Sequence, residues 1–259
     1  MAIYKNSPPD TYNFLQATGI TDMTQIRAVS TLVTDLKYAG IWGKMKAIYP
    51  FVGGTATTHK FNLKDPRNTL DAYVITFGSG WTHSSTGVLP NGTINGTATF
   101  GIIPSRDLTD SSVHASVYSR TNVIANQADL GTFAGAPTAF TLYIRWGDGT
   151  FYNDLYDYNT NRVAVANSDS RGFYIISRES TTSQKSFKNG TQVGTTNVNT
   201  STSARTSLTN LIYFGGRSDG FYSTKEYAFM SIGDGLSNTE SLAYYTAVQK
   251  FQTSLGRQV

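Results

Sequence analysis

The chain has 259 residues, room for one large all-β domain or two small ones, and is 39% hydrophobic, 13% aromatic and only 15% charged. A net charge of +4 without any dense basic run argues against a nucleic-acid footprint. The absence of cysteine excludes disulfides and thiolate-held zinc, so stability must come from the core.

Residues 1–19, with Pro8-Pro9 and no hydrophobic periodicity, read as an extended arm. A helical segment follows over 20–46. In it Ile26, Val29, Leu32, Val33 and Leu36 recur at three- and four-residue spacing, Thr21 or Asp22 can cap the start, and Gly40 fits the stop. Residues 47–259 read as one sandwich domain with no linker and no repeat. KAIYPFVGG looks like a strand ended by Gly53-Gly54. HKFNL (59–63), DAYVITF (71–77), TATFGII (97–103), VHASVYS (113–119), AFTLYIRW (139–146), GFYIISR (172–178), LTNLIYFGG (208–216) and EYAFMSI (226–232) are further candidates. Short strands at such spacing, separated by Gly, Asn and Asp, indicate a sandwich or barrel.

Within AFTLYIRW the alternation puts Phe140, Leu142 and Ile144 on a buried face and leaves Tyr143 and Arg145 on the other. Asn189-Gly190 supplies the two positive-φ positions of a type I′ turn. It predicts a hairpin in which Lys188 faces Thr191, Phe187 faces Gln192 and Ser186 faces Val193. The chain closes in a helix opened by a Ser237–Glu240 capping box, with Leu242, Tyr245, Val248 or Gln249, and Gln252 along one stripe. Arg257-Gln258-Val259 can fray or hold a neighbour. No apolar run has the length of a signal-peptide core or a membrane span, so the expectation is a protein made in a cytosol, without membrane insertion, that reaches the outside by a route such as lysis.

The order of parts in the C-terminal third carries a resemblance. Phe187-Lys188-Asn189-Gly190 is followed by Leu211-Ile212-Tyr213-Phe214-Gly215-Gly216, then Tyr227-Ala228-Phe229-Met230-Ser231-Ile232-Gly233, then Leu236-Ser237-Asn238-Thr239-Glu240. Over residues 172–250 this resembles the concanavalin A-like, laminin G-like jelly roll. The resemblance implies an all-β, two-sheet jelly-roll sandwich with an N-terminal and a C-terminal helix. Relatives often carry acidic residues in the penultimate strand, where this chain reads EYAFMSI; that departure counts against a carried-over metal site. The opening NFLQATGITDMTQIRAVSTLVTDLK with GIWGKMKAIYPFVGGTATTHKFNLKDP, and the LGRQV ending, are similar to structural proteins of tailed bacteriophages. That second resemblance implies a non-enzymatic virion component, a capsid decoration or tail-fibre part, synthesised in host cytoplasm. Its implied partners are other virion proteins, a second copy of itself in a homo-oligomer, and a host-surface glycan.

A glycoside hydrolase needs two carboxylates flanking one bond. Glu179 and Glu226 have no acidic partner at sheet spacing, Glu240 is used in capping, and Asp154 and Asp157, three apart, point to opposite faces of any strand. His59, His83 and His114 are isolated in sequence, and no Gly-x-Ser-x-Gly elbow or phosphate loop is present. No cofactor is implied beyond Ca²⁺, for which Asp148, Asn153, Asp154 and Asp157 in WGDGTFYNDLYDYN offer oxygen donors; the same residues fit a solvated, turn-rich loop. Tyr143, Trp146, Tyr152, Tyr156 and Tyr158 are the carbohydrate-binding candidates, since aromatic faces stack on sugar rings, with about half of such residues expected in a core. A lectin-like carbohydrate-binding module is therefore the alternative to a purely structural role.

Overall fold

The computed structural model describes residues 8–198 and 205–259. It is a two-sheet antiparallel sandwich with helices at its two chain ends. The first sheet comprises β1 (Met45–Tyr49), β3 (Trp81–Ser84), β4 (Gly87–Pro90), β6 (Val113–Ser119), β11 (Gly172–Ser180), β12 (Ser183–Lys188), β13 (Thr191–Asn197) and β15 (Tyr227–Gly233). They run in the order β13-β12-β11-β6-β15-β4-β3, with β1 also paired to β15. The second sheet comprises β2 (Thr76–Phe77), β5 (Ala98–Thr99), β7 (Leu130–Phe133), β8 (Thr138–Tyr143), β9 (Thr150–Asp157), β10 (Val163–Ala166) and β14 (Tyr213–Phe214). Its order is β10-β9-β8-β7-β14-β5-β2.

Two apolar layers result. Between the sheets lie Val113, Ala115 and Val117 of β6, Tyr174 and Ile176 of β11, and Phe140 and Leu142 of β8. The opposite face of the first sheet presents Tyr118, Phe173, Ile175, Phe187 and Phe229 to α1 (Pro9–Thr18), α2 (Met23–Tyr38) and α5 (Asn238–Ser254). Two further helices, α3 (Ala56–His59) and α4 (Pro104–Asp107), are single turns. β6 and β15 are buried along their whole length, so neither alternates between buried and exposed positions, and their polar residues His114, Ser116, Ser119 and Ser231 are buried too. The second sheet has its inner face in the core, and its outer face carries no helix among the described residues, yet the long strands β8 and β9 are buried on both sides over most of their length.

The local signals mostly act as read. Asp22 caps α2 by accepting from the Gln25 amide, and Gly40 follows its end at φ 72°. The β12–β13 register pairs Lys188 with Thr191, Phe187 with Gln192 and Ser186 with Val193, and Asn189 and Gly190 hold φ of 50° and 75°. Ser237 and Glu240 form the reciprocal capping box.

Several expectations are corrected. Of the 1–19 arm, residues 1–7 lie outside the described residues, and 9–18 form a helix, not an extended segment. Pro9 stands at its first turn, where a missing N–H costs nothing, and Phe14 and Leu15 anchor it. HKFNL is not a strand: His59 ends α3, and Asn62 is spent bonding the Ile48 amide and the Lys46 and Ala72 carbonyls. DAYVITF, TATFGII and LTNLIYFGG each keep only a two-residue pairing. The buried face of α5 is Tyr244, Ala247, Val248, Phe251 and Gln252, while Leu242 is 53% exposed. Arg257 neither frays nor reaches outward. Its guanidinium is buried and donates to the carbonyls of Pro50, Phe51 and Ala228, which sews the chain end to the segment after β1.

Candidate functional site

The outer face of the second sheet is built from the alternation of β8 and β9, and its centre is buried, with Thr141 and Asp154 0% and Tyr143 4% exposed. Thr141 pairs with Asp154 and Tyr143 with Tyr152, so all four side chains rise on the outer side. The same row continues through Gly131 of β7 and Tyr213 of β14 to Thr99 of β5. Segment FYNDLYDYN is therefore mostly strand β9, not a loop. Asn153 and Asp154 are turn residues by type, but in the fold each is satisfied by a tertiary partner.

Two arginines organise the face. Arg217, from the loop after β14, donates to the Tyr143 hydroxyl at 2.6 Å and clasps Asp219 at 2.6 and 2.7 Å. Its guanidinium lies 4.5 Å over the Phe133 ring and 4.9 Å over Phe221. Trp146, at the turn after β8, meets Tyr143 edge-on at 5.0 Å and Phe221 at 5.1 Å. Arg162 forks onto Asp154 at 2.7 Å twice and lies 4.5 Å over Tyr152 and 5.4 Å over Tyr158. Burial pushes the Tyr143 hydroxyl up to about 12, with Arg217 pulling the other way. Burial also raises the Asp154 carboxyl, opposed by Arg162. The Tyr152 hydroxyl donates to Asp148 at 2.6 Å and holds that carboxyl low.

Tyr143, Trp146, Tyr152 and Tyr158 thus gather on one side of one sheet. Tyr156 does not. Its φ of 79° breaks the alternation, so Leu155 and Tyr156 both enter the core, where the Tyr156 hydroxyl bonds the Thr109 carbonyl. The proposed Ca²⁺ donors are dispersed. Asp148 serves Tyr152, Asn153 faces inward and bonds the Lys185 carbonyl, Asp154 is held by Arg162, and Asp157 caps the amides of Asn159 and Thr160. Among the described residues no three His, Asp or Glu side chains form a metal-sized group.

Sequence reasoning missed Arg217, Asp219, Phe133 and Phe221, because only tertiary pairing brings 133 and 217–221 to β8. They lead into a cavity of about 460 Å³ lined by Phe133, Asn210, Tyr213, Ser218 and Asp219. Through Leu211 this adjoins a second cavity of about 410 Å³, lined by Tyr73, Thr99, Arg106 and Asp107. The histidines were also misjudged as isolated: His59 and His83 meet through their Nδ1 atoms at 3.0 Å. They lie with Phe51, Phe77 and Trp81 and have no carboxylate partner in that contact.

The face can do specific chemistry. Aromatic rings offer stacking surfaces, and tyrosine hydroxyls, paired carboxylates and guanidinium forks offer preoriented hydrogen-bonding groups. Asp154 and Asp219 on it are each paired with an arginine, and Asp148 accepts from the Tyr152 hydroxyl.

No family model matches the chain, and no curated protein matches it. Among solved structures it is similar to the binding domain of Paraclostridial Mosquitocidal Protein 1 (9% identity, TM-score 0.47, covering 79% of this chain and 52% of that one). It is also similar to domain 4 of AbnA, a GH43 extracellular arabinanase from Geobacillus stearothermophilus in complex with arabinotriose (14% identity, TM-score 0.43, 78% and 98%). A third is Trypanosoma rangeli sialidase (10% identity, TM-score 0.47, 85% and 38%). The chain spans about half of the first of these and less than two fifths of the sialidase chain.

Proposed function

We propose that the chain is a non-catalytic glycan-binding module and that the outer face of its second sheet is the binding surface. The observation that carries this reading is the gathering of Tyr143, Trp146, Tyr152 and Phe221 around Arg217 and Arg162 on the sheet face that carries no helix among the described residues. Helices occupy the matching face of the other sheet. The adjoining cavities widen the surface to accommodate more than one sugar ring. The pairing of Asp154 and Asp219 with arginines favours holding over cleaving, since neither is left as a free acid or base.

The test is a glycan panel read by calorimetry, with Trp146→Ala and Tyr152→Ala, both partly exposed residues whose loss spares the inter-sheet core. Each should weaken the best glycan at least about tenfold, the scale of one stacking contact plus a hydrogen bond, with an unchanged melting temperature. A panel without any ligand at millimolar concentration, or affinities indifferent to both variants, would sink the proposal.

The setting on a virion is a second reading, supported by the resemblance of the two chain ends to tailed-phage structural proteins. The two resembling ends form one unit, with α2 packed on α5 and Arg257 bonded to the segment after β1. Quantitative mass spectrometry of purified particles tests it: copies near the capsid count indicate decoration, a low symmetric count a fibre, and absence removes the reading. Removing residues 1–7 should lower incorporation; a longer deletion would strip Phe14 and Leu15 from the helical layer and confound the result.

A further inference from the structure

A buried group not used by the binding face sits where the two sheets meet. Lys225, just before β15 of the first sheet, and Asp129, just before β7 of the second, are both 0% exposed. The Lys225 Nζ lies 3.2 Å from Asp129 Oδ1, yet it makes no hydrogen bond of acceptable geometry to any group. A buried ammonium ordinarily turns its donors toward acceptors, because an unmet donor costs free energy. Here the carboxylate oxygens are already engaged. The Tyr227 hydroxyl donates to Oδ1 at 2.6 Å, and the Ile144 amide donates to Oδ2 at 2.8 Å. Ser223 Oγ lies 2.6 Å from the same Tyr227 hydroxyl. The amine is thus held against a carboxyl group whose two oxygens are polarised by fixed donors, in a place without bulk water.

We propose that Lys225 and Asp129 condense to an intramolecular amide that staples one sheet to the other. Proton transfer from ammonium to carboxylate first gives a neutral amine and a neutral acid, with no net change of charge inside the core. The Nζ lone pair then attacks Cγ, and the displaced carbonyl electrons settle on Oδ2, where the Ile144 amide meets them as in an oxyanion site. The Cγ–Oδ1 bond breaks and Oδ1 leaves as water, its second proton coming from Nζ through the Tyr227 hydroxyl. The carbonyl oxygen of the new amide is Oδ2, still bonded to Ile144. One C–N bond forms, one C–O bond breaks, one water is released, and neither oxidant nor cofactor takes part. In a chain without cysteine, this is a covalent route to joining its sheets.

The experiment is intact-mass measurement of the full-length protein, followed by tryptic mapping. The expected mass is lower than the sequence mass by one water. The expected map contains a branched peptide joining residues 121–145 to 218–250, since trypsin no longer cuts after an acylated Lys225. Lys225→Met should restore the full mass. An intact mass equal to the sequence mass after prolonged incubation of the folded protein overturns the proposal and leaves a buried ion pair. So does a water lost in the Lys225→Met variant, or one mapped to an Asp-Gly step. If the variant does not fold, the branched peptide of the unaltered protein decides alone.

Discussion

Moderate acid should weaken the fold through its buried histidines. His114 is fully buried on β6, with Nδ1 bonded to the Asp234 carbonyl and Nε2 beside Ser231 Oγ at 3.1 Å, and burial lowers its imidazole to about 4, with nearby Lys44 acting the same way and Glu240 against it. His59 receives the Gly54 amide on Nε2, so its neutral ring carries the proton on Nδ1, toward His83; burial, then His83 and Arg257, lower it to about 3. Protonating His59 at Nε2 would set two donors against each other. Both folded values lie below the unfolded value of 6.5. The stability that these groups contribute is therefore present above pH 6.5 and is lost as pH falls toward 4 and then 3. Each loses about 1.4 kcal/mol per pH unit in that window, so together they remove about 5 kcal/mol by about pH 4.5. His83, also lowered by burial, adds in the same direction. Asp154, raised above 3.8 by burial, acts oppositely as pH falls through its raised value, and Asp65 and Asp169, held low by Arg67 and Arg171, matter only below 3.8. Urea unfolding followed by tryptophan fluorescence at pH steps from about 7.5 to 4.5 measures the slope. His114→Gln should reduce it by roughly half. A free energy flat to within about 1 kcal/mol between pH 6.5 and 4.5 would refute the argument.

Two further outcomes follow from single side chains. Arg257→Met should cost about 3 kcal/mol in thermal unfolding, because the carbonyls of Pro50, Phe51 and Ala228 and the Gln252 side chain lose their shared donor. Tyr156→Ala should lower stability by about 3 kcal/mol or more through the cavity it leaves between the sheets, and should leave the affinity of the folded fraction unchanged, which separates it from Trp146→Ala and Tyr152→Ala.

The local chemistry of the chain was legible wherever it depends on neighbours in sequence. Asn189-Gly190 set its own hairpin register, since the turn type dictates which residues face each other. Asp22 and the Ser237–Glu240 box marked helix starts through bonds spanning three residues. The period of two in AFTLYIRW placed Phe140, Leu142 and Ile144 inside and Tyr143 outside. From such signals the all-β sandwich with terminal helices could be read before any coordinates.

The tertiary structure decided what no short window contains. Strand β9 was hidden because Asn153 and Asp154 are turn residues by propensity, and only Lys185, Ser186 and Arg162, brought from other strands and loops, satisfy them within a sheet. Tyr156 left the candidate site because one positive φ reversed its side, a backbone state that a tyrosine does not announce. Arg217 entered it from 74 positions beyond Tyr143. Which sheet face the helices cover was likewise a long-range outcome: α1, α2 and α5, from the two ends of the chain, pack on the first sheet, while Arg162, Arg217 and their neighbouring rings cover the centre of the second sheet's outer face. Turns and caps are closed by bonds a few residues long, and so the sequence alone determines them. A binding face is assembled across strands, and its membership exists only once the sheets have paired.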